Sequence, residues 1–163
     1  MELEVDTRKR IFEAIRASPG IHLRELERCL SLAVGSLQYH LHYLEKKKLI
    51  LQVKDEQYVR YFVKDKELDD NDRKIMSFLR KKACRHILMT LVEEPGMNNK
   101  DISSAVSLSP STVSWHLNKL VAAKIVNRTV KGRESKFLVV DPGNVAELMI
   151  TYKGSFLDKL LDN

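Results

Sequence analysis

The spacing of apolar side chains divides the first part of the chain into three short helices and a hairpin. Apolar residues recur at helical spacing from Ile11 to Ile15, and this segment ends at Pro19-Gly20. Two further amphipathic segments follow, over residues 23–30 and about 35–47. The period then changes from helical to alternating over residues 50–63, which predicts two strands joined by a polar tip.

The same pattern recurs 76 residues later without a gap, so that residues 11–65 align with residues 87–141. Pro19-Gly20 aligns with Pro95-Gly96, and His40-Leu41 aligns with His116-Leu117. A period this long exceeds that of the usual solenoid repeats. The pattern therefore predicts two copies of one small domain, the first over residues 1–65 and the second over residues 83–141.

The second copy has the clearer helix starts. Asn98 is a plausible N-cap for a helix over 99–106, and Ser109-Pro110 combines a hydroxyl cap with a proline where no N–H is required. Its hairpin has the tip Lys131-Gly132-Arg133, where glycine can adopt a positive φ.

Amphipathic segments follow each copy. Residues 66–82 predict a linker helix, and residues 142–163 predict a C-terminal amphipathic helix over about 144–161. Because an isolated helix of this length is marginal, its apolar stripe needs a cover, and we expect pairing between two chains. The stripe, our candidate dimer interface, consists of Val145, Leu148, Met149, Tyr152, Phe156 and Leu160.

Charge separates the two halves. The chain has 28 Lys and Arg against 22 Asp and Glu, a net charge of +6. Residues 1–70 are neutral, so the whole excess lies in the second half, which indicates a local electropositive surface. The alternative is an ordinary solvated surface.

Three helices with a tight turn before the third, followed by a hairpin, form a winged helix-turn-helix. The segments 107–117 (SLSPSTVSWHL) and 36–45 (SLQYHLHYLE) resemble the turn and third helix of archaeal ArsR/MarR-like tandem winged-helix regulators. The resemblance implies a mainly α fold with small hairpin wings, and a cytoplasmic, often dimeric regulator that binds double-stranded DNA.

In such a module the third helix enters the major groove and the wing contacts the backbone or minor groove. We therefore expect the second copy to be the principal DNA reader. Its candidate contacts are Ser111, Thr112, Ser114, Trp115, Asn118, Lys119, Arg128, Lys131, Arg133 and Lys136. The alternative is that the hydroxyls only cap the helix and the charges only solvate the hairpin.

The first copy has an acidic wing tip, Asp55-Glu56-Gln57, which would repel phosphate. Its candidate contacts are Ser36, Gln38, Tyr39 and His42, with dimerisation or internal packing as the alternative. Dimerisation through the C-terminal stripe, and one chain spanning two groove segments about 34 Å apart, both remain open.

Other chemistry has little support. Two cysteines, Cys29 and Cys84, form no metal spacing, and no catalytic constellation or cofactor motif is present, so we expect no metal, no cofactor and no enzymatic activity. No apolar run approaches the roughly 18 residues needed to span a bilayer. An alternative function is a protein-interaction scaffold or polymerase-associated factor without specific DNA readout.

Overall fold

The computed structural model describes residues 2–156, with side chains from residue 4 onward. The chain divides into two compact units. The first extends to Ser77 and also includes the chain from Gly154, and the second is Phe78–Lys153. None of the helices in the described ranges is both long and apolar enough to cross a bilayer.

The first unit is a winged helix-turn-helix. Its elements are α1 (Glu2–Ala17), β1 (Ile21–His22), α2 (Leu23–Leu30), α3 (Val34–Lys46), β2 (Ile50–Lys54) and β3 (Val59–Val63). They are followed by α4 (Asp70–Leu79), in which the division between the units falls. The strands form an antiparallel sheet in the order β1-β3-β2. The helices bury one apolar face each around a shared core of Ile11, Ile15, Ile21, Leu26, Leu37, Leu41, Leu44, Ile50 and Tyr61.

The second unit repeats this arrangement. Its elements are α5 (Lys82–Glu93), α6 (Asn99–Val106), α7 (Pro110–Ala122), β4 (Val126–Lys131), β5 (Glu134–Val139) and α8 (Pro142–Thr151). A single bridge from Met97 to Phe137 takes the place of β1. The mainly α fold with two hairpin wings is therefore confirmed.

The backbone repeats with the same period of 76 residues. Helices α2 and α6, and likewise α3 and α7, begin and end at positions that differ by 76. Ser31 and Ser107 have φ of 53° and 57°, while Lys48 and Lys124 both have φ of 61°. Positive φ is uncommon outside glycine, so its recurrence at equivalent non-glycine positions shows that the two units use the same turns.

The connecting helices are shorter than predicted. The predicted linker helix ends at Leu79 because Lys81 is extended, with φ −91° and ψ 118°, before α5 begins. The predicted C-terminal helix is interrupted at Tyr152, the C-cap of α8, which has φ −107° and ψ 19°, and residues 153–156 are helical again. The single continuous helix expected over 144–161 is therefore wrong as far as the described residues extend.

This break changes the candidate dimer stripe. Val145 and Leu148 are already buried in the second unit, where α8 packs against α5. Phe156 is buried as well, and it belongs to the first unit. Met149 and Tyr152 are half-buried, and Leu160 lies outside the described residues. Three members of the stripe thus offer little surface to a second chain.

Candidate nucleic-acid interface

Helix α7 presents a polar face because its apolar residues point inward. The Ser109 Oγ accepts a hydrogen bond from the Thr112 N–H at 3.2 Å, and Pro110 occupies the first turn, so the predicted cap is confirmed. The helix buries Val113, Leu117 and Leu120. Its exposed residues include the predicted contacts Ser111, Ser114, Trp115 and Asn118.

Asn99, at the start of α6, ties that helix to α7. Its Nδ2 donates to the Ser114 Oγ at 2.7 Å and to the Pro110 carbonyl at 3.1 Å. Its Oδ1 accepts from the Ser103 hydroxyl at 3.0 Å. Since the Ser114 oxygen accepts from Asn99, the Ser114 hydroxyl proton is available to donate outward.

Two side-chain contacts hold residues in the middle of α7 in place. The Lys119 Nζ lies 3.7 Å from the centroid of the Trp115 ring, which is 53% exposed. The His116 Nδ1 lies 3.5 Å from the Cys84 Sγ on α5, so this histidine binds a side chain within its own unit. Burial lowers the pKa of His116, and the charges of Lys119 and Lys81 lower it further, so the ring is neutral at pH 7.

The second wing is a tight, basic hairpin. Lys131 pairs with Glu134 across a two-residue loop, in which Gly132 has φ +64°. Arg128 Nε donates to the Ser135 Oγ across the strands at 3.0 Å. Arg128, Lys131 and Arg133 are exposed, so the wing presents three cations to solvent.

A groove of about 490 Å³ lies between α7, the start of α6 and the wing. It brings four of the predicted contacts together, namely Ser114, Asn118, Arg128 and Arg133. The other six contacts predicted for the second copy do not line this groove. Among these, Thr112 accepts from the Ser109 hydroxyl, and Lys136 is half-buried.

Four residues that line this groove were not among the contacts predicted from the sequence. Asn98, Asn99, Lys100 and Glu134 also line it. The Asn98 side chain accepts from the Asp101 N–H and donates to the Glu134 carboxylate, so it caps α6 and ties that helix to the wing. In the sequence, Asn98, Asn99 and Lys100 stand together at the start of a helix. An asparagine at such a position is explained by helix capping, so these residues do not by themselves indicate a groove.

The corresponding helix of the first unit has a different surface. Ser36, Gln38, Tyr39 and His42 are all exposed on α3. The N-cap of this helix is Ala33, which has no side-chain hydrogen bond to offer. A groove of about 800 Å³ lies between α2, the turn before α3 and Tyr58 of the first wing, and none of these four residues lines it.

The first wing is held by an internal ion pair. Arg60 is 1% exposed, and its Nε donates to the Asp55 Oδ2 at 2.6 Å while its Nη1 donates to the Gly20 carbonyl at 3.0 Å. Burial raises the pKa of Asp55, but hydrogen bonds from Arg60 and from the N–H groups of Tyr58 and Gln57 outweigh it, and the pKa is lowered. Asp55 therefore organises the hairpin as well as making its tip acidic.

Known families match both units. A family described as an N-terminal HTH domain (HTH_HVO_0163_N) matches residues 5–76, and a family described as winged helix-turn-helix DNA-binding (HTH_24) matches residues 85–127. The chain is therefore a tandem helix-turn-helix protein, in agreement with the resemblance seen in its sequence.

A relative from an archaeon extends over both units. The chain is 31% identical over 134 residues to the uncharacterized HTH-type transcriptional regulator MJ1398 of Methanocaldococcus jannaschii. The match covers 82% of this chain but spans only 33% of the relative.

Solved structures with a similar backbone include several regulators. The AntR antimony-specific transcriptional repressor matches with 17% identity and a TM-score of 0.46, over 61% of this chain and 92% of that chain. The PcaV transcriptional regulator from Streptomyces coelicolor matches with 20% identity and a TM-score of 0.44, over 52% and 65%. Scores below 0.5 do not assign a fold by themselves, so the fold rests on the topology described above.

Proposed function

We propose that this chain is a sequence-specific regulator of transcription that binds double-stranded DNA, with the second unit as its principal reader. The observation that carries the proposal is the groove in which Ser114 and Asn118 of α7 face Arg128 and Arg133 of the wing. Hydroxyl and amide groups can hydrogen-bond base edges, and arginine binds phosphate bidentately. Both kinds of contact are needed for specific binding, one for sequence and the other for position.

The dimensions of the module suit a duplex. A helix such as α7 fits the major groove, which is about 12 Å wide, with its N-terminal residues nearest the base edges. With α7 placed in this way, Ser111 and Ser114 face bases, while Lys131 and Arg133 at the wing tip reach the backbone or the adjacent minor groove. The protein would then act where cellular DNA is, in the cytoplasm.

The first unit has a lesser role in this proposal. Its reader helix lacks a side-chain cap, and the wing carboxylate of Asp55 is held in place by a buried arginine. Arg60 neutralises part of the charge of Asp55, so phosphate approaching this wing meets a tip with no exposed cation in Asp55-Glu56-Gln57, in place of the three cations of the second wing. We assign to the first unit an auxiliary or assembly role.

Two triple variants of the full chain test the proposal. One is Arg128→Ala, Lys131→Ala and Arg133→Ala; the matched control is Lys46→Ala, Lys47→Ala and Lys48→Ala in the first unit, which removes the same charge. Affinity is measured by fluorescence anisotropy, at several salt concentrations, with a duplex selected by the wild-type chain from a random pool. We expect the wing variant to bind more weakly, and its log–log salt slope to become shallower by about 0.9 for each phosphate that the protein no longer neutralises.

The control variant should keep most of its affinity and nearly the wild-type slope. If both variants lose the same affinity, net charge alone explains the binding and the assignment to the second unit is wrong. If no duplex is enriched from the pool and neither variant changes binding, the protein-interaction scaffold is the better account.

A further inference from the structure

The side chain of Ser114 on helix α7 is both exposed and held by a neighbour. Ser114 lines the groove of the second unit together with Asn118 and Arg128. An unconstrained serine hydroxyl can donate or accept a hydrogen bond, because its proton rotates to suit the partner. A serine whose proton has only one direction available is more selective, so the contacts of this hydroxyl decide what it can recognise.

The Asn99 amide beside Ser114 has a fixed orientation. Its Nδ2 donates to the Pro110 carbonyl at 3.1 Å and to the Ser114 Oγ at 2.7 Å. A carbonyl oxygen can only accept, so it is the nitrogen of the amide that faces Pro110 and Ser114. On its other side the Oδ1 accepts from the hydroxyl of Ser103, which is 6% exposed. Reversing the amide would set two oxygens against each other, at Asn99 and Pro110.

These contacts direct the Ser114 proton into the groove. The Ser114 oxygen receives an N–H from Asn99, so its own proton cannot point there. The usual internal acceptor for a serine within a helix is the carbonyl four residues earlier, which here belongs to Pro110. That carbonyl already accepts the Ser114 backbone N–H within α7 and the Asn99 amide. The proton therefore points outward, where it can donate.

The first unit lacks this arrangement. Leu23 and Gln38 stand 76 residues before Asn99 and Ser114, at the equivalent places on α2 and α3. A leucine side chain can neither donate nor accept a hydrogen bond, so it cannot orient its neighbour in this way. Gln38 carries both donors and an acceptor. The fixed donor is thus a property of the second unit.

We propose that Asn99 is a positioning residue for base recognition, which makes Ser114 a donor that selects base edges carrying an acceptor. This inference rests on the proposed function, since α7 has to lie in the major groove. There guanine offers N7 and O6, adenine offers N7 and thymine offers O4, whereas cytosine offers only its N4 amino donor. Ser114 therefore discriminates against cytosine at the base that it contacts.

The variant Asn99→Asp tests the positioning role in the full chain. Anisotropy is measured with four duplexes that differ only at the base pair where Ser114→Ala changes the preference of the protein. We expect the wild type to bind the cytosine duplex about tenfold more weakly than the guanine duplex. In Asn99→Asp the carboxylate accepts the Ser114 proton and the serine lone pairs turn outward, so this order should reverse. An acidic residue also suits the first turn of α6.

The matched control is the same change in the Ser114→Ala background. The added negative charge should weaken binding of all four duplexes by a similar factor in both backgrounds. The reversal of base order should appear only when Ser114 is present. A purely structural role of Asn99 would weaken all four duplexes alike and would reverse nothing.

Replacing adenine by 7-deazaadenine tests the contact at one atom. This base lacks the N7 acceptor but keeps the N6 donor, so at the contacted position it should weaken binding of the wild type and leave Asn99→Asp unaffected. A wild type that is insensitive to 7-deazaadenine on either strand overturns the inference without any variant.

The outcomes separate this inference from the proposed function. A wild type that prefers no duplex contradicts both. A wild type that discriminates among the four duplexes, with the same order of bases in Asn99→Asp, overturns the role of Asn99 alone and leaves the second unit as the DNA reader.

Discussion

The two units share a backbone and differ in the chemistry of their wings and reader helices. In the second, Ser109 caps the reader helix and the wing presents Arg128, Lys131 and Arg133 to solvent. In the first, Ala33 occupies the cap position and a buried arginine neutralises part of the wing tip. The two units have the same turns and elements, and they differ in their outward-facing residues.

The largest effect is expected at Arg60. Replacing it with alanine removes the partner of Asp55 and the donor to the Gly20 carbonyl, and breaking a buried ion pair costs about 3–5 kcal/mol of unfolding free energy. The equivalent residue, Lys136, is half-buried, and Lys136→Ala should change stability by roughly 0.5 kcal/mol or less. Urea denaturation of both variants measures the difference.

The variant Arg60→Lys tests whether a positive charge alone is sufficient at this position. It gives the first unit the residue type of the second, but a lysine cannot reproduce the forked geometry of arginine. We expect most of the stability loss to persist. Equal stability of Arg60→Ala and Lys136→Ala would show that the ion pair does not distinguish the two wings.

The next effect concerns sequence preference. Asn118→Ala, in the groove of the second unit, should reduce discrimination between the selected duplex and single-base variants by about 1–3 kcal/mol at one position. His42→Ala, at the equivalent place on α3, should leave the preference unchanged. Anisotropy with a panel of single-base variants checks both, and a loss of preference in His42→Ala alone would reverse the proposed roles.

A smaller effect follows from the caps. Ser109→Ala should lower the unfolding free energy by about 1 kcal/mol, because the Thr112 N–H loses its acceptor. Ala33→Ser should have the opposite sign, since it supplies the missing cap to α3. Thermal denaturation compares the pair, and destabilisation by Ala33→Ser would contradict the assignment of Ala33 as an uncapped helix start.

Acidification should produce a modest change shared by both units. Burial lowers the pKa of His40 and of His116 below the ordinary value of 6.5, so the unfolded chain binds more protons than the folded chain in this range. Stability is then fully present above about pH 6.5 and falls as the pH drops below that value. Urea denaturation between about pH 7.5 and pH 5 measures the slope, and His116→Gln should reduce it.

Much of this fold follows from local sequence patterns. The third helices, the hairpins and the Ser109 cap were predictable because periodicity and turn residues act over a few positions. The end of α8 at Thr151 could not be predicted from the sequence, because the apolar stripe continues past it. Leu148 belongs to the second unit and Phe156 to the first, and this division depends on tertiary packing. The exposed residues on α7 were predictable from helical spacing, whereas the groove itself requires Asn98 and Glu134 to meet across 36 residues.

Hydrogen–deuterium exchange of the full chain, with and without the selected duplex, tests the central claim most directly. The account predicts protection on binding over α7 and the β4–β5 wing, with little change over α3 and the β2–β3 wing. Equal or greater protection over α3 and the first wing would contradict the assignment of the second unit as the principal reader.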